Sequence, residues 1–494
     1  MQRAGAACAS EIALRYAERL GAGVLVAAGP GNNGGDAWVV ARALAATGVR
    51  VRVVEPVSAK TDDARAESAL ARAIPTRIEV TNAAEFVDRG EALVIDGLLG
   101  TGSRGSPRGD IATIVSGINA MRDRGAVVVA IDIPSGVDAS TGAADGDFVV
   151  ADLTLTFGTM KRGLLARRDA CGTTAVLDIG LGSHAELEDG APSLVDERWV
   201  SASIPAISSE AHKGTRKKLA IVGGAAGMAG ASVLAARAAL RSGIGMVKLV
   251  VAPESLSSVQ EAEPYALATT WPSDEATLSR DVIDWADAVV IGPGLGRTDE
   301  SKAILERVLA GWHGPTLLDA DAITVFENRL PDLAKALAKR RALLTPHPVE
   351  FSRLAGLGVE QVLKTRFDVG LDVARALGAA VLIKGVPTVV NGPDGRRLVS
   401  ASGTAALATA GSGDVLSGIA GTLLAQIDDP LVAGAVAAWV HGRAAQRVPM
   451  STAGGVRGVT LEDVIAELRD AWHFDDRSTR YPVLVELPAA GGTP

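Results

Sequence analysis

The sequence predicts two α/β domains, each built on a parallel sheet of buried strands with helices packed around it. Three observations carry this. Short β-branched runs ending in Gly or Asp alternate with Ala/Leu/Arg-rich stretches of helical period. That rhythm breaks once, from about Glu186 to Glu210, in a stretch rich in Glu, Asp, Pro and Ser, and then restarts. The chain has 494 residues, too long for one ordinary core. The expected organisation is a first domain over 1–185, a linker over 186–210, a second domain over 211–475 and an irregular tail over 476–494.

Taken in order, strands are expected at Val24 to Ala28, Val49 to Val54, Ala92 to Asp96, Val127 to Ile133 and Leu153 to Phe157. Helices fill the gaps, such as Ala37 to Thr47, which Gly48 closes as a C-terminal cap. After the linker come strands at Leu219 to Val222, Val247 to Val251, Ala288 to Ile291, Thr316 to Leu318, Leu343 to Thr345 and Val381 to Ile383. A helix over Ser232 to Arg241 precedes Gly243.

Composition excludes several classes. Apolar residues are 48% and charged residues 21%, which is globular rather than disordered. No apolar run approaches the roughly 20 residues of a membrane span, and no leader pattern is seen at the N-terminus. Cys8 and Cys171 lie far apart, with no thiol or His at metal spacing, so a reducing cytoplasm is the expected setting. Net charge is −8 with no basic run interleaved with aromatics, which argues against a nucleic-acid partner. Ala- and Gly-rich helices would permit close subunit packing, and a homo-oligomer is expected.

In open parallel sheets, ligands bind outside the carboxyl ends of strands. Gly411-Ser412-Gly413-Asp414 precedes an apolar-periodic run that reads as a helix. Free amides and the dipole there suit a phosphate, and Asp414 is placed to take a proton from an attacking hydroxyl. The alternative is a glycine-rich turn with an acidic residue in the first helical turn. Four more strands end in polar residues: Gly292-Pro293-Gly294-Leu295-Gly296, Asp319-Ala320-Asp321, Pro346-His347-Pro348-Val349-Glu350, and Lys384-Gly385-Val386-Pro387-Thr388. Singly, these admit turn, N-cap or structural readings. Five together point to a ligand crevice.

With Gly223-Gly224 and Gly230-Ala231, these motifs in this order resemble the ADP- or ATP-dependent NAD(P)H-hydrate dehydratases, relatives of ribokinase, over roughly Ala211 to Ala471. The resemblance implies a ribokinase-like fold. It also implies that Lys384, Gly385, Val386, Pro387, Thr388 and Gly413 contact the nucleotide. Ala231, Gly296, His347 and Asp414 would contact the hydrated nicotinamide substrate, with magnesium on the phosphates. ADP is the co-substrate generally used by bacterial members of that family.

In the first half, Gly29-Pro30-Gly31-Asn32-Asn33-Gly34-Gly35-Asp36 runs from a strand through a glycine turn into a helix, exposing amides for a phosphate. Asp96 leads into Gly100-Thr101-Gly102-Ser103-Arg104-Gly105-Ser106. This formally matches G-x-G-x-x-G, but its glycines come late after the strand, and Pro107 falls where a helix should be established. Asp132 and Ser135 follow another strand; Asp132 in isolation fits an N-cap or turn equally well, and Arg104 and Lys161 read equally as solvated. These pieces resemble the NAD(P)H-hydrate epimerases over nearly all of residues 1–182, implying a Rossmann-like three-layer sheet domain. By that resemblance Asn32, Asn33, Gly34, Gly35, Asp36, the Gly100 to Ser106 loop and Asp132 bind the hydrated cofactor, with Asp132 as acid/base. Asn33, Asp96 and Ser135 would hold potassium, and oxygen ligands suit so hard a cation. Two departures stand out: Ala37 replaces a usual Gly, and Met1 to Gly5 align inside a helix that family members precede with another segment.

The expected activity is therefore repair of NADH hydrate and NADPH hydrate, by epimerisation in the first domain and nucleotide-driven dehydration in the second. The competing reading is a vitamin or sugar kinase fused to a non-catalytic nucleotide-binding module.

Overall fold

A computed structural model describes residues 1–182, 190–449, 455–474 and 479–490. The chain divides into two compact units, Met1–Glu188 with Asp476–Pro494, and Asp189–Asp475.

In the first unit, β1 (Val24–Ala28), β2 (Val51–Val54), β3 (Ile78–Thr81), β4 (Leu93–Gly97), β5 (Val127–Ile131), β6 (Leu153–Phe157) and β7 (Thr173–Leu177) are parallel, in the spatial order β7-β6-β5-β4-β1-β2-β3. The two-residue period of β1 sends Val24, Val26 and Ala28 to one face, where they pack with Trp38 and Leu44 of helix Asn32–Ala46. Leu25 and Ala27 face the other way, onto Ile114 and Ile118 of helix Asp110–Asp123. Three layers result, with both faces of the sheet covered, as an all-parallel sheet requires. From β1 the chain winds to β2 and β3 on one side, then restarts at β4 on the other. The crevice between the carboxyl ends of β1 and β4 is therefore the topological switch point, where ligands bind in such sheets.

In the second unit, β8 (Ser193–Leu194), β9 (Lys218–Val222), β10 (Met246–Val251), β11 (Leu267–Thr270), β12 (Ala288–Ile291), β13 (Thr316–Leu318), β14 (Ala342–Leu344), β15 (Ala380–Ile383), β16 (Thr388–Asn391) and β17 (Arg397–Ser400) form one sheet, in the order β11-β10-β9-β12-β13-β14-β15-β16-β17-β8. β16 runs antiparallel to both β15 and β17. Leu219 and Ile221 pack toward Val415 and Ile419 on one face, while Ala220 and Val222 pack toward Leu305 and Phe351 on the other.

Three expectations need correction. The expected linker is part of the second unit over its described residues. β8 pairs with β17, helix Glu197–Ser203 follows, and Val195 and Val200 are core residues. The expected irregular tail contributes strand Val483–Leu487, which pairs antiparallel with β7 and closes the first sheet, so Val483 joins that core. Third, the first-domain helix starts at Asn32 rather than Ala37, so Asn32 to Asp36 form its opening turns. The expected boundaries after 185 and 475 lie outside the described residues. Among the described residues, no helix is long and apolar enough to cross a membrane.

Candidate functional sites

In the second unit the polar strand ends lie side by side because β12, β13, β14 and β15 are consecutive neighbours. Helix Ser412–Gln426 starts beneath them. Its N-cap is Gly411, whose φ of 91° is the left-handed value that glycine adopts without strain. Asp414 sits in the first turn. Burial, then the neighbouring Asp319, pushes its carboxyl up to about 7 against the lowering by Lys384.

Neither carboxylate after β13 is an N-cap. Asp319 is 1% exposed. Its Oδ1 accepts from Lys384 Nζ at 2.8 Å and its Oδ2 from Ser417 Oγ at 2.7 Å. Asp321 accepts the Gly296 amide at 3.0 Å and Arg297 Nε at 2.9 Å, so it holds the glycine loop after β12. Ala231 lies against that loop: a Cβ at Gly294 would come 3.0 Å from its own. The Lys384 amide donates to Pro346 O at 2.9 Å, which joins the Lys384 loop to the His347 loop.

His347 is in good part structural. Its Nδ1 accepts from the amides of Val349 (3.1 Å) and Glu350 (3.3 Å), capping helix Pro348–Ala355. Burial lowers its pKa despite Glu350, and its side chain remains half exposed at 48%. Thr388 Oγ donates to Gly385 O at 3.0 Å and closes the turn that presents Val386 and Pro387. The structure thus gathers Ala231, Gly296, Asp414, Gly413, His347 and the Lys384 to Thr388 loop on one sheet edge.

Sequence reasoning missed three residues here. Arg366 reaches the carbonyls of Val386 and Pro387, 18 positions before Lys384 and outside any motif. Ser417 lies one helical turn past Asp414, where the pattern reads as core. His441 is 6% exposed, with no partner for Nε2 among the described residues; burial and then Lys384 push it down to about 4, so it is neutral.

In the first unit, Asp132 occupies the left-handed region (φ 64°) just after β5. Its Oδ1 accepts from Thr156 Oγ at 3.1 Å and pairs with Lys161 Nζ at 2.9 Å, which also donates to Phe157 O at 2.7 Å. Lys161 is therefore engaged rather than solvated, and Thr156 went unnoticed because it reads as an ordinary strand residue. Burial lifts Asp36 to about 7; the α-ammonium of Met1 opposes this, and the charge of Asp132 adds to it.

Asp96, fully buried at the end of β4, accepts from Ser135 Oγ (2.6 Å), Ser135 N (2.8 Å) and Leu98 N (3.2 Å). Burial still outweighs these bonds and raises it to about 6. Asn33 Nδ2 donates to Leu99 O at 2.8 Å, while its buried Oδ1 has no partner among the described residues. This is an oxygen-rich cradle with a buried carboxylate and a spare carbonyl. Those donors fit a hard monovalent cation.

Asn33 also lies against the loop after β4, where a Cβ at Gly100 would come 3.0 Å from its Cβ. Ser103 and Gly105 line a cavity with Gly136, Val137, Asp138, Ala143 and Asp145, and the Ser106 hydroxyl donates to Asp145 O. No helix follows this loop until Asp110, so it is not a dinucleotide fingerprint. Asn32 to Asp36, the Gly100 to Ser106 loop and Asp132 all cluster at the carboxyl ends of β1, β4 and β5.

The chain matches two family models: NAD(P)H-hydrate dehydratase over residues 219–467, and YjeF-related protein N-terminus over residues 1–163. It is 35% identical over 454 residues to the bifunctional NAD(P)H-hydrate repair enzyme of Escherichia coli, covering 90% of this chain and 84% of that protein. It is 36% identical over 480 residues to the enzyme of the same name from Salinibacter ruber, covering 90% and 87% respectively. Among solved structures, the ADP/ATP-dependent NAD(P)H-hydrate dehydratase of Bacillus subtilis, co-crystallized with ATP/Mg2+, is 26% identical with a TM-score of 0.49, covering 57% of this chain and 98% of that one.

Proposed function

This chain belongs to the bifunctional NAD(P)H-hydrate repair enzymes, and we propose how its residues divide that work between an epimerase and a dehydratase. The observation that carries the dehydratase reading is Asp414, half buried at a helix start beside the Lys384–Asp319 pair, with its carboxyl at about 7. A base is most useful when its pKa lies near the working pH.

The hydrate bears a hydroxyl on a ring carbon next to nitrogen. Asp414 takes the hydroxyl proton, and the oxygen attacks the terminal phosphorus of bound ADP or ATP, breaking the bridging P–O bond and releasing AMP or ADP. The lone pair of the ring nitrogen then expels phosphate, and loss of a proton restores the dihydronicotinamide. Lys384 and the amides from Gly413 onward hold the phosphates through this exchange. Magnesium accompanies the nucleotide and neutralises phosphate charge.

In the first domain, Asp132 is the acid/base for reversible loss of that same hydroxyl. It gives a proton to the departing oxygen as the ring-nitrogen lone pair forms the iminium and water leaves. It takes the proton back as water adds to either face, interconverting the R and S hydrates. Lys161 and Thr156 hold its carboxylate in place. Asn33, Asp96 and Ser135 would hold potassium, which supplies a fixed positive charge beside the Asn32 to Asp36 turn. Support for this comes from the orphaned Asn33 Oδ1 and the buried Asp96 carboxylate.

The test starts from pure R-hydrate. Without nucleotide, the protein should equilibrate R and S; with ADP or ATP, it should carry both through to NAD(P)H. Asp414→Asn should lower nucleotide-dependent repair about 10²- to 10⁴-fold while still binding nucleotide and equilibrating the epimers. Asp132→Ala should do the converse, starting from S-hydrate. An active Asp414→Asn protein removes that residue from the role, and a phosphorylated alcohol accumulating in place of NAD(P)H would mark an ordinary kinase.

A further inference from the structure

Asp319 has no role in the contacts that the family resemblance implies, yet it is among the most buried charges in its domain, 1% exposed just after β13. Its two oxygens are fully committed, one to Lys384 Nζ and the other to Ser417 Oγ. Both partners adjoin the Gly411 to Asp414 turn. A Cβ placed on Gly413 would lie 3.1 Å from Lys384 Nζ and 3.6 Å from Asp319 Oδ2. Ser417 is on the same helix as Asp414, so the carboxylate ties the β15 loop to the first turns of that helix. A buried ion pair is costly unless its geometry is good and its remaining oxygen is satisfied, as here, and breaking one partner leaves an uncompensated charge.

We propose that Asp319 is a positioning residue for the dehydratase, fixing Lys384 under the Gly413 turn and setting the charge environment in which Asp414 acts. The inference rests on the reading of Asp414 as the base. Asp319 is a like charge close to Asp414 and also neutralises the cation that would otherwise favour the ionised carboxylate. Both effects add to burial, the larger cause, in keeping Asp414 protonated to higher pH, in line with its value of about 7.

The other charged groups around this helix are accounted for. Asp321 acts on Asp414 in the same direction as Asp319 and is held by Gly296 and Arg297. Glu350 and neutral His441 face Lys384. Helix Ala229–Arg241, packed alongside, carries Arg241 and also Arg237, which is paired with Glu263 and Glu462. Helix Pro430–Arg447 carries Arg443, paired with Glu197, and Arg447, paired with Glu467. Helix Leu461–Ala471 adds Asp463, committed to its own cap, together with Arg469 and Asp470.

The experiment measures the single-turnover rate of dehydration against pH at saturating nucleotide, in the full-length protein. Ionised Asp414 is the active form, so the rate falls on the acid side of its pKa. Asp319→Asn should move that acidic limb down by about one unit. Lys384→Gln should move it up, because a favourable cation is lost. Ser417→Ala, which keeps both charges, should leave the limb in place. A merely structural Asp319 would lower the rate or the melting point without moving the limb, and an unmoved limb in Asp319→Asn overturns the proposal. If Asp319→Asn does not fold, the Lys384→Gln shift decides, and a limb that stays or falls overturns it. Asp414→Asn is run in parallel: if it remains active, the base assignment fails, whereas an inactive Asp414→Asn beside an unmoved Asp319→Asn limb sinks only this inference.

Discussion

Asn33 shows how much a single side chain can reveal. Its amide nitrogen is used by Leu99 O, its carbonyl oxygen is buried without a partner, and Asp96 nearby carries a charge that burial resists. A cation would resolve both at once. Asp96, raised to about 6 from an ordinary value near 3.8, gives stability that is full below about 3.8 and is lost as pH rises through 6. Potassium should restore that loss. The first domain should therefore melt higher in potassium chloride than in tetramethylammonium chloride at equal ionic strength, by roughly 1.4 kcal/mol at ten times Kd. The increment should be clear above pH 6, shrink below it, and be absent in Asn33→Ala; an increment that survives in Asn33→Ala would remove Asn33 from the site. Asp96 and Asp132 were legible from sequence because they stand where strands end, and Asp414 because it follows a glycine turn at a helix start. Their partners were not: Lys384 and Asp319 are 65 positions apart and Asp132 and Thr156 are 24 apart, and only the sheet order brings them together.

At the scale of elements, the legible strands were the central ones. β1, β4, β5 and β12 are buried on both faces and read as unbroken apolar runs. The strands that went unseen, among them β3, β8, β11, β17 and Val483–Leu487, lie at or near sheet edges. β3 and Val483–Leu487 mix exposed and buried positions, β8 and β11 have no buried residue, and β17 is a short run that starts on Arg397. The start of helix Asn32–Ala46 was placed five residues late because two glycines argue against helix on propensity alone. Close approach overrides propensity here: a Cβ on Gly34 would sit 1.8 Å from Gly29 O. The glycines let the helix start press onto the end of β1 and bring Asn33 and Asp36 into the crevice. Gly34→Ala should thus cost about 1–3 kcal/mol and most of the epimerase activity. Gly31→Ala is the control, with open space around its Cβ and an ordinary φ of −98°, and should cost under about 1 kcal/mol. Equal melting points for the two variants would contradict the packing argument. Ala37, standing where glycine is usual, already lies close: a Cβ on Gly97 would come 2.5 Å from its own, so Gly97 is what accommodates it.

For the whole molecule, the division of the chain in space differs from its division along the sequence. The first unit is closed by residues from the far end of the chain, because strand Val483–Leu487 pairs with β7 and brings Val483 and Leu487 into burial. Arg15 and Glu486, and Arg168 and the Pro488 carbonyl, add polar ties. A linear reading sees a tail after a finished kinase-like domain and has no local signal that five residues complete a sheet begun more than 450 positions earlier. Removing residues 479–494 should consequently injure the domain at the other end of the sequence. Losing two buried aliphatic side chains at about 1.5–3 kcal/mol each would lower the stability of the first domain by several kcal/mol, a large share of the total for a domain this size. The measurement is loss of each activity after graded heating. In the truncated protein, epimerisation should fail at markedly lower temperature than in the full chain, while nucleotide-dependent dehydration of S-hydrate keeps its original midpoint. Parallel loss of both activities would mean that the tail supports the second domain as well, and loss of neither would mean that the closing strand adds nothing to the first.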